Sequence, residues 1–214
     1  MTNIYSNDLP DRLKNIIDLP KKLYAYGKTE IMYRERIIGI VGSRYPSSEG
    51  RINAEKFAKE LAGDDFVIVS GMAIGIDTSA HKGAINGKGK TIAVIGCGIN
   101  INYPKSNNGL KNELRENHLI ISEYDYDIKP KGYHYPYRNR IISGISLGIL
   151  VVEAKIKSGT MTTVNHALNQ GKPVFVIPGS INNPMSDGNN YLIKLGAIPV
   201  TEAKDIIDYF NFSR

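Results

Sequence analysis

The sequence has little with which to brace or anchor itself from outside. Its single cysteine, Cys97, excludes an intrachain disulfide, and that fits a reducing compartment, with the cytoplasm as the expected location. No apolar run approaches the roughly 20 residues that a membrane-spanning helix needs. Residues 1–13 mix Asn, Asp, Pro and Arg, which is not the pattern of a secretory signal. There is no Gly/Ser linker and no internal repeat. The histidines, His81, His118, His134 and His166, show no metal-ligand spacing with one another or with Cys97, so no metal and no cofactor is expected. Nucleotide fingerprints are missing too. Gly42-Ser43-Arg44 stands where a dinucleotide site would carry Gly-x-Gly-x-x-Gly, and Gly96-x-Gly98 has no third glycine. Gly89-Lys90-Thr91 mimics the tail of a P-loop, but Gly83 is one residue off the required spacing. The Lys-Thr pair also leads into a strand, where a P-loop needs a helix.

What is present is a chain of 214 residues, 42% apolar, enough for one well-cored domain. The net charge of +6 favours a polyanionic partner, because phosphates neutralised by Lys and Arg release condensed counterions. Apolar, β-branched runs fall at 37–41, 66–70, 91–95, 119–122, 147–152, 174–177 and 197–200. Helical stretches near 48–62, 77–86, 107–117, 138–146, 160–170, 189–195 and 202–209 alternate with them. Near-continuous apolar strands alternating with helices predict an α/β fold: a Rossmann-like open sheet, mostly parallel, with helices on both faces. Residues 37–214 form this domain. Residues 1–36 read as an N-terminal extension, with Leu9, Leu13, Ile16, Ile17, Leu19 and Leu23 suggesting a short helical segment. Pro20 and Gly27 interrupt it, and it is expected to pack on the first strand.

In an open parallel sheet, ligands bind where the strands' carboxyl ends meet the loops. Here those loops read Gly42-Ser43-Arg44, Ser70-Gly71 onward, Gly96-Cys97-Gly98, Lys155 to Thr160, and Pro178-Gly179-Ser180. Any one glycine turn is a tight turn more often than a site. Five at one sheet edge, with Arg44, Lys155 and Lys157, predict an anion pocket built from close backbone approach and helix N-termini. The segment 124–140 is the most unusual part of the chain. It holds five of the thirteen tyrosines, interleaved with Lys129, Lys131, His134, Arg138 and Arg140. Basic groups follow a phosphate backbone while exposed rings stack unpaired bases; equally, the tyrosines can cover the sheet edge as a lid. Candidates for catalysis are sparse. Glu153 lies at a strand end without a partner carboxylate or nucleophile, His81 is read as packing, Asp77 as a helix cap, and Cys97 as a small residue in a tight turn.

Taken in order, these segments resemble the DNA-processing protein A family, also called DprA or Smf. The likeness runs from Ile40-Val41-Gly42-Ser43-Arg44 through Ser70-Gly71-Met72-Ala73-Ile74-Gly75-Ile76-Asp77 and Arg138-Asn139-Arg140-Ile141-Ile142. It continues through Ser158-Gly159-Thr160 to Leu192-Ile193-Lys194-Leu195-Gly196. The resemblance implies an extended Rossmann fold that binds single-stranded DNA without chemistry. It also implies protection of incoming strands and help in loading the RecA recombinase during natural transformation. Matched residue by residue, it implies DNA contacts at Gly42, Ser43, Arg44, Ser70, Gly71, Tyr135, Arg138, Asn139, Arg140, Lys155, Ser158 and Gly159, to which the basic loop adds Lys131. It further implies a homodimer formed near Leu192 and Ile193. The alternative is a nucleotide sensor, or an enzyme like the phosphoribohydrolases with a related core. In those, a glutamate stands where this chain has Thr163, and its loss argues against hydrolysis.

Overall fold

The computed structural model describes residues 1–212, so Ser213 and Arg214, the last positions of the predicted domain, lie outside the described residues. The parallel sheet expected from the apolar runs forms with strands β3 (Ile37–Val41), β4 (Val67–Ser70), β5 (Thr91–Ile95), β6 (Leu119–Ser122), β7 (Gly148–Val151), β8 (Val174–Val176) and β9 (Ile198–Pro199). Two further strands, β1 (Thr2–Tyr5) and β2 (Lys22–Gly27), come from the N-terminal segment. The sheet order is β1-β2-β6-β5-β4-β3-β7-β8-β9. From β3 the chain winds outward through β4, β5 and β6, then returns to the other side of β3 with β7, β8 and β9. The direction of winding therefore reverses between β3 and β7, and the crevice outside their carboxyl ends is where this class of sheet binds ligands.

The helices are α1 (Asp11–Lys14), α2 (Ser48–Gly63), α3 (Ile76–Asn86), α4 (Asn108–Asn117), α5 (His134–Ile145), α6 (Gly159–Asn169), α7 (Asp187–Lys194) and α8 (Ala203–Phe212). Strand alternation divides the core. Ile38 and Ile40 face a cluster holding Phe57 and Leu61 of α2 and Ala80 and Ala84 of α3. Ile37 and Val41 face Ile141 and Ile145 of α5 and Val164 of α6. Gly39 leaves room for the Ile149 side chain of β7 and for Ser146 at the end of α5, since a Cβ there would collide with the first and press on the second.

Three expectations change. Residues 1–36 do not lie on the first core strand; β1 and β2 extend the sheet antiparallel from β6, at the opposite side from β7. The apolar pattern read as helical serves two ends. Leu23 is a buried strand residue, while Leu13 and Ile16 pack against Gly144 of α5. Helix α5 begins at His134, four residues before the predicted start. Pro136 sits in its first turn and costs nothing there, since its missing N–H has no intrahelical acceptor to lose. Finally, Leu192 on α7 is a core residue, only 5% exposed, whereas Tyr191 and Leu195 are the outward apolar side chains of that segment.

The structure also explains His81. Its Nδ1 lies 2.6 Å from Thr91 Oγ1, and that hydroxyl donates its one proton to the Ile68 carbonyl, 2.7 Å away. Nδ1 must therefore carry the hydrogen, and the ring is a neutral donor. Burial holds His81 down at about 3 and the neighbouring buried His118 at about 4. A histidine depressed in the folded state binds protons more readily when unfolded, so stability is lost as pH falls from 6.5 toward 4. The cost approaches about 1.4 kcal/mol per pH unit for each ring. Thermal melts across that window are expected to fall steeply for the parent protein and less steeply for His81→Gln; parallel profiles would remove this account.

Candidate functional site

The crevice at the β3/β7 switch is a groove of about 810 Å³. Its first wall is the turn 42–44. The Ser43 N–H donates to the Glu153 carbonyl at 2.7 Å, and the Ile76 N–H donates to the Ser43 carbonyl at 3.1 Å, so the turn is clamped between the end of β7 and the start of α3. Gly75 permits that clamp. It sits at a φ of +85°, and a Cβ would run into the carbonyl oxygens of Ser43 and Arg44. Arg44 thereby projects from a fixed backbone into open space.

The second wall is the start of α6. Ser158 is its N-cap residue, with a buried Oγ that has no hydrogen-bond partner. Ser158, Gly159, Thr160 and Thr163 all line the groove, where the N-terminal dipole of α6 favours an anion. The Asn139 side chain donates to the Gly159 carbonyl at 3.3 Å and joins α5 to this wall. Lys155 and Lys157 precede the cap, and Lys131 enters from the loop before α5. Arg138 forms the floor. It is 4% exposed, its Nη1 donates to the Val94 carbonyl, and its guanidinium packs on Gly71, where no Cβ fits. Asp77 faces it, accepting from the Gly71 and Ala73 N–H groups at 3.2 Å. Burial pushes the Asp77 carboxyl up, opposed by the charge of Arg138. Five cationic side chains, Arg44, Lys131, Arg138, Lys155 and Lys157, thus line a groove with one carboxylate, and Tyr45, Tyr103 and Tyr135 supply aromatic surface.

Ten of the thirteen expected site residues line this groove: Gly42, Ser43, Arg44, Lys131, Tyr135, Arg138, Asn139, Lys155, Ser158 and Gly159. Three do not. Ser70 is buried, its hydroxyl donating to the Ile40 carbonyl, and Gly71 lies beneath Arg138. Arg140 turns away: its guanidinium donates to the Asp18 and Tyr137 carbonyls, pairs with Glu123 at 2.7 Å and lies 3.8 Å from the Tyr137 ring. Two residues apart on a helix, Arg138 and Arg140 cannot share a face. The tyrosine-rich segment also divides. Tyr135 enters the groove, Tyr124 stacks on His134 and Tyr126 packs edge-on against Tyr24. Sequence reasoning left out Tyr45, Tyr103, Thr163 and Asp77 as groove residues. The first two stand in loops at the same strand ends, a signal that was available.

At the N-terminus of α2 lies the position that a dinucleotide phosphate would take. It is filled from within. Glu153 accepts from the Ser47 backbone N–H at 2.8 Å and its hydroxyl at 2.5 Å, and its carboxylate fills the space a Cβ on Gly50 would need. The chain thus supplies its own anion to that helix.

The chain matches known proteins along nearly its whole length. Residues 1–211 match the family of DNA recombination-mediator protein A. The chain belongs to this family. The DNA processing protein DprA of Streptococcus pneumoniae is 41% identical over 210 residues, spanning 98% of this chain and 74% of that protein. The crystal structure of S. pneumoniae DprA superposes with a TM-score of 0.93 at 40% identity, covering 97% of this chain and 73% of that one. A Helicobacter pylori DNA processing protein A, whose structure concerns its single-stranded DNA binding mode, superposes with a TM-score of 0.89. It is 32% identical and covers 96% of this chain and 94% of its own. Among the described residues no helix is long and apolar enough to cross a membrane.

Proposed function

We propose that the groove binds single-stranded DNA through its phosphates and acts in DNA processing without chemistry of its own. The observation that carries this reading is the pairing of five cations with three tyrosines in one groove at the switch point. Cations track a phosphate backbone, and aromatic faces take bases that a duplex keeps stacked. The S. pneumoniae and H. pylori relatives support it by family and, for the latter, by the ligand its structure concerns. The residues in contact would be the ten named above, with Ser70, Gly71 and Arg140 supporting them from below and behind. Protection of incoming strands in the cytoplasm, loading of RecA and a homodimer near α7 complete the reading. In that dimer Tyr191 and Leu195, not the buried Leu192, would supply the self-contact.

The enzyme alternative is weakened by two features of the same groove. Thr163 lines it where a hydrolase would need its carboxylate, and Asp77 spends Oδ2 on two backbone N–H groups. A titration with a single-stranded oligonucleotide, a duplex and mononucleotides at two salt concentrations tests the reading. The single strand is expected to bind tightest, with affinity falling steeply as salt rises. Equal affinity for the duplex would sink the groove model, and release of a free base from a mononucleotide would promote the enzyme.

A further inference from the structure

Of the five tyrosines between residues 124 and 140, Tyr135 enters the groove, while Tyr124 and Tyr126 pack against other rings. Tyr133 and Tyr137 stay open to solvent, 66% and 43% exposed. Four residues apart at the start of α5, they share one face of that helix. The opposite face carries Tyr135, Arg138, Asn139 and Ile142, which line the groove. Helix α5 is therefore a wall with the groove on one side and two exposed rings on the other. Pro130, Lys131 and Gly132 line the groove and run directly into Tyr133, so the two sides meet in front of the first turn of α5. We infer that Tyr133 and Tyr137 are a separate stacking platform. A strand leaving the groove turns around the start of α5 and lays its next bases on these two rings. The inference rests on the reading of the groove as a single-stranded DNA site, and it extends that site around the helix.

Both rings are seated on groups that are themselves fixed. Tyr133 meets the His134 ring edge-on, with centroids 4.7 Å apart and planes at 89°. His134 is buried, its Nδ1 lies 3.0 Å from the Gly96 carbonyl, and Tyr124 stacks on it at 4.0 Å. Tyr137 rests on the Arg140 guanidinium, 3.8 Å from its ring centroid. Arg140 is held in turn by the Asp18 carbonyl and by Glu123. Arg140 thus has work to do although it faces away from the groove: it is a positioning residue that holds one ring flat against the surface. Rings fixed in this way lose little freedom when a base arrives.

Charge along the path favours a nucleic-acid strand as the occupant. Lys131 is exposed at the turning point, with its Nζ 5.9 Å from the Tyr133 ring, and Lys129 is exposed two residues before it. Of the carboxylates in the same segment, Glu123 is paired with Arg140 and Asp127 accepts from the Asn100 side chain at 2.9 Å. That leaves Asp125 against two lysines, a balance that suits passing phosphates. The bases of a single strand are free to stack on tyrosine, whereas those of a duplex already stack on each other. A docking protein would call for a contiguous apolar patch, and here the rings stand beside exposed Asp125, Lys129 and Lys131.

The test uses the whole chain and a short oligothymidylate core carrying flanks of equal length, either thymidine or abasic sugar–phosphate, at its 5′ or its 3′ end. The parent protein is expected to bind the thymidine flank more tightly than the abasic flank at one of the two ends. Replacing both rings, Tyr133→Ala with Tyr137→Ala, should abolish that advantage, a loss of roughly thirtyfold, the low end for two stacked bases. Affinity for the unflanked core and for the abasic flanks should not change, nor should the salt dependence. The paired Tyr→Phe variant should keep the advantage. The paired Tyr→Leu variant, which keeps Arg140 covered but offers no aromatic face, should lose it. Equal losses on all the strands, no loss on any, or retention by the leucine variant would overturn the platform. Failure of the underlying reading shows itself differently: no strand would bind the parent protein, or Arg44→Ala would leave binding of the core unchanged.

Discussion

Arg138→Ala is expected to remove about 2–5 kcal/mol of stability, the scale set by emptying a buried side-chain site and by leaving a nearby buried carboxyl without its opposite charge. The guanidinium is almost wholly buried, bonds the Val94 carbonyl and faces the buried Asp77. Its removal leaves the Asp77 carboxylate without its counter-charge, opens a cavity over Gly71 and frees a strand carbonyl. Against the roughly 5–15 kcal/mol of a whole domain, that is a large fraction. Urea unfolding measures it. Removing both partners should cost less than the sum of the single substitutions, because Asp77→Ala abolishes the charge that Arg138→Ala strands. A loss below about 1 kcal/mol for Arg138→Ala would show that the pair is not a unit.

The opposite profile is expected for the exposed cations. Arg44, Lys155 and Lys157 are open to solvent and line the groove, and none belongs to an ion pair among the described residues. Replacing all three with alanine should leave the melting temperature unchanged. If each meets one phosphate, the slope of log affinity against log salt drops by about 0.7 per lost contact, or about 2 for the set. Affinity near physiological salt should fall by about a hundredfold or more, taking each charge-assisted contact as roughly 1–1.5 kcal/mol. Fluorescence anisotropy on a labelled single strand at several salt concentrations reads both quantities. An unchanged slope would place the strand elsewhere on the molecule.

The contrast between these two sets of basic residues marks what the sequence could reveal. Strand and helix positions were legible because apolar runs and their spacing report burial directly; β3, β5 and β6 fall on the predicted residues. The groove was legible because glycine and basic residues recur at one set of strand ends. What stayed hidden depended on long-range geometry. A run of Arg-Asn-Arg gives no sign that Arg138 lies under the groove while Arg140 faces Asp18 and Glu123. Glu153 looked like an unattached carboxylate because its partner, Ser47, lies 106 residues away. The pairing of β2 with β6 was hidden for the same reason, since an apolar stretch at the N-terminus does not name the strand it will join.

Glu153 also bears on how the protein holds itself together. A domain whose leading helix waits for a phosphate gains stability by mass action, as RT ln(1 + [L]/Kd), and melts more easily when the ligand runs short. Here the charge that satisfies the start of α2 is part of the polypeptide, at an effectively constant local concentration. The thermal stability of that corner of the fold is therefore set by the chain alone and does not track the cell's supply of nucleotides.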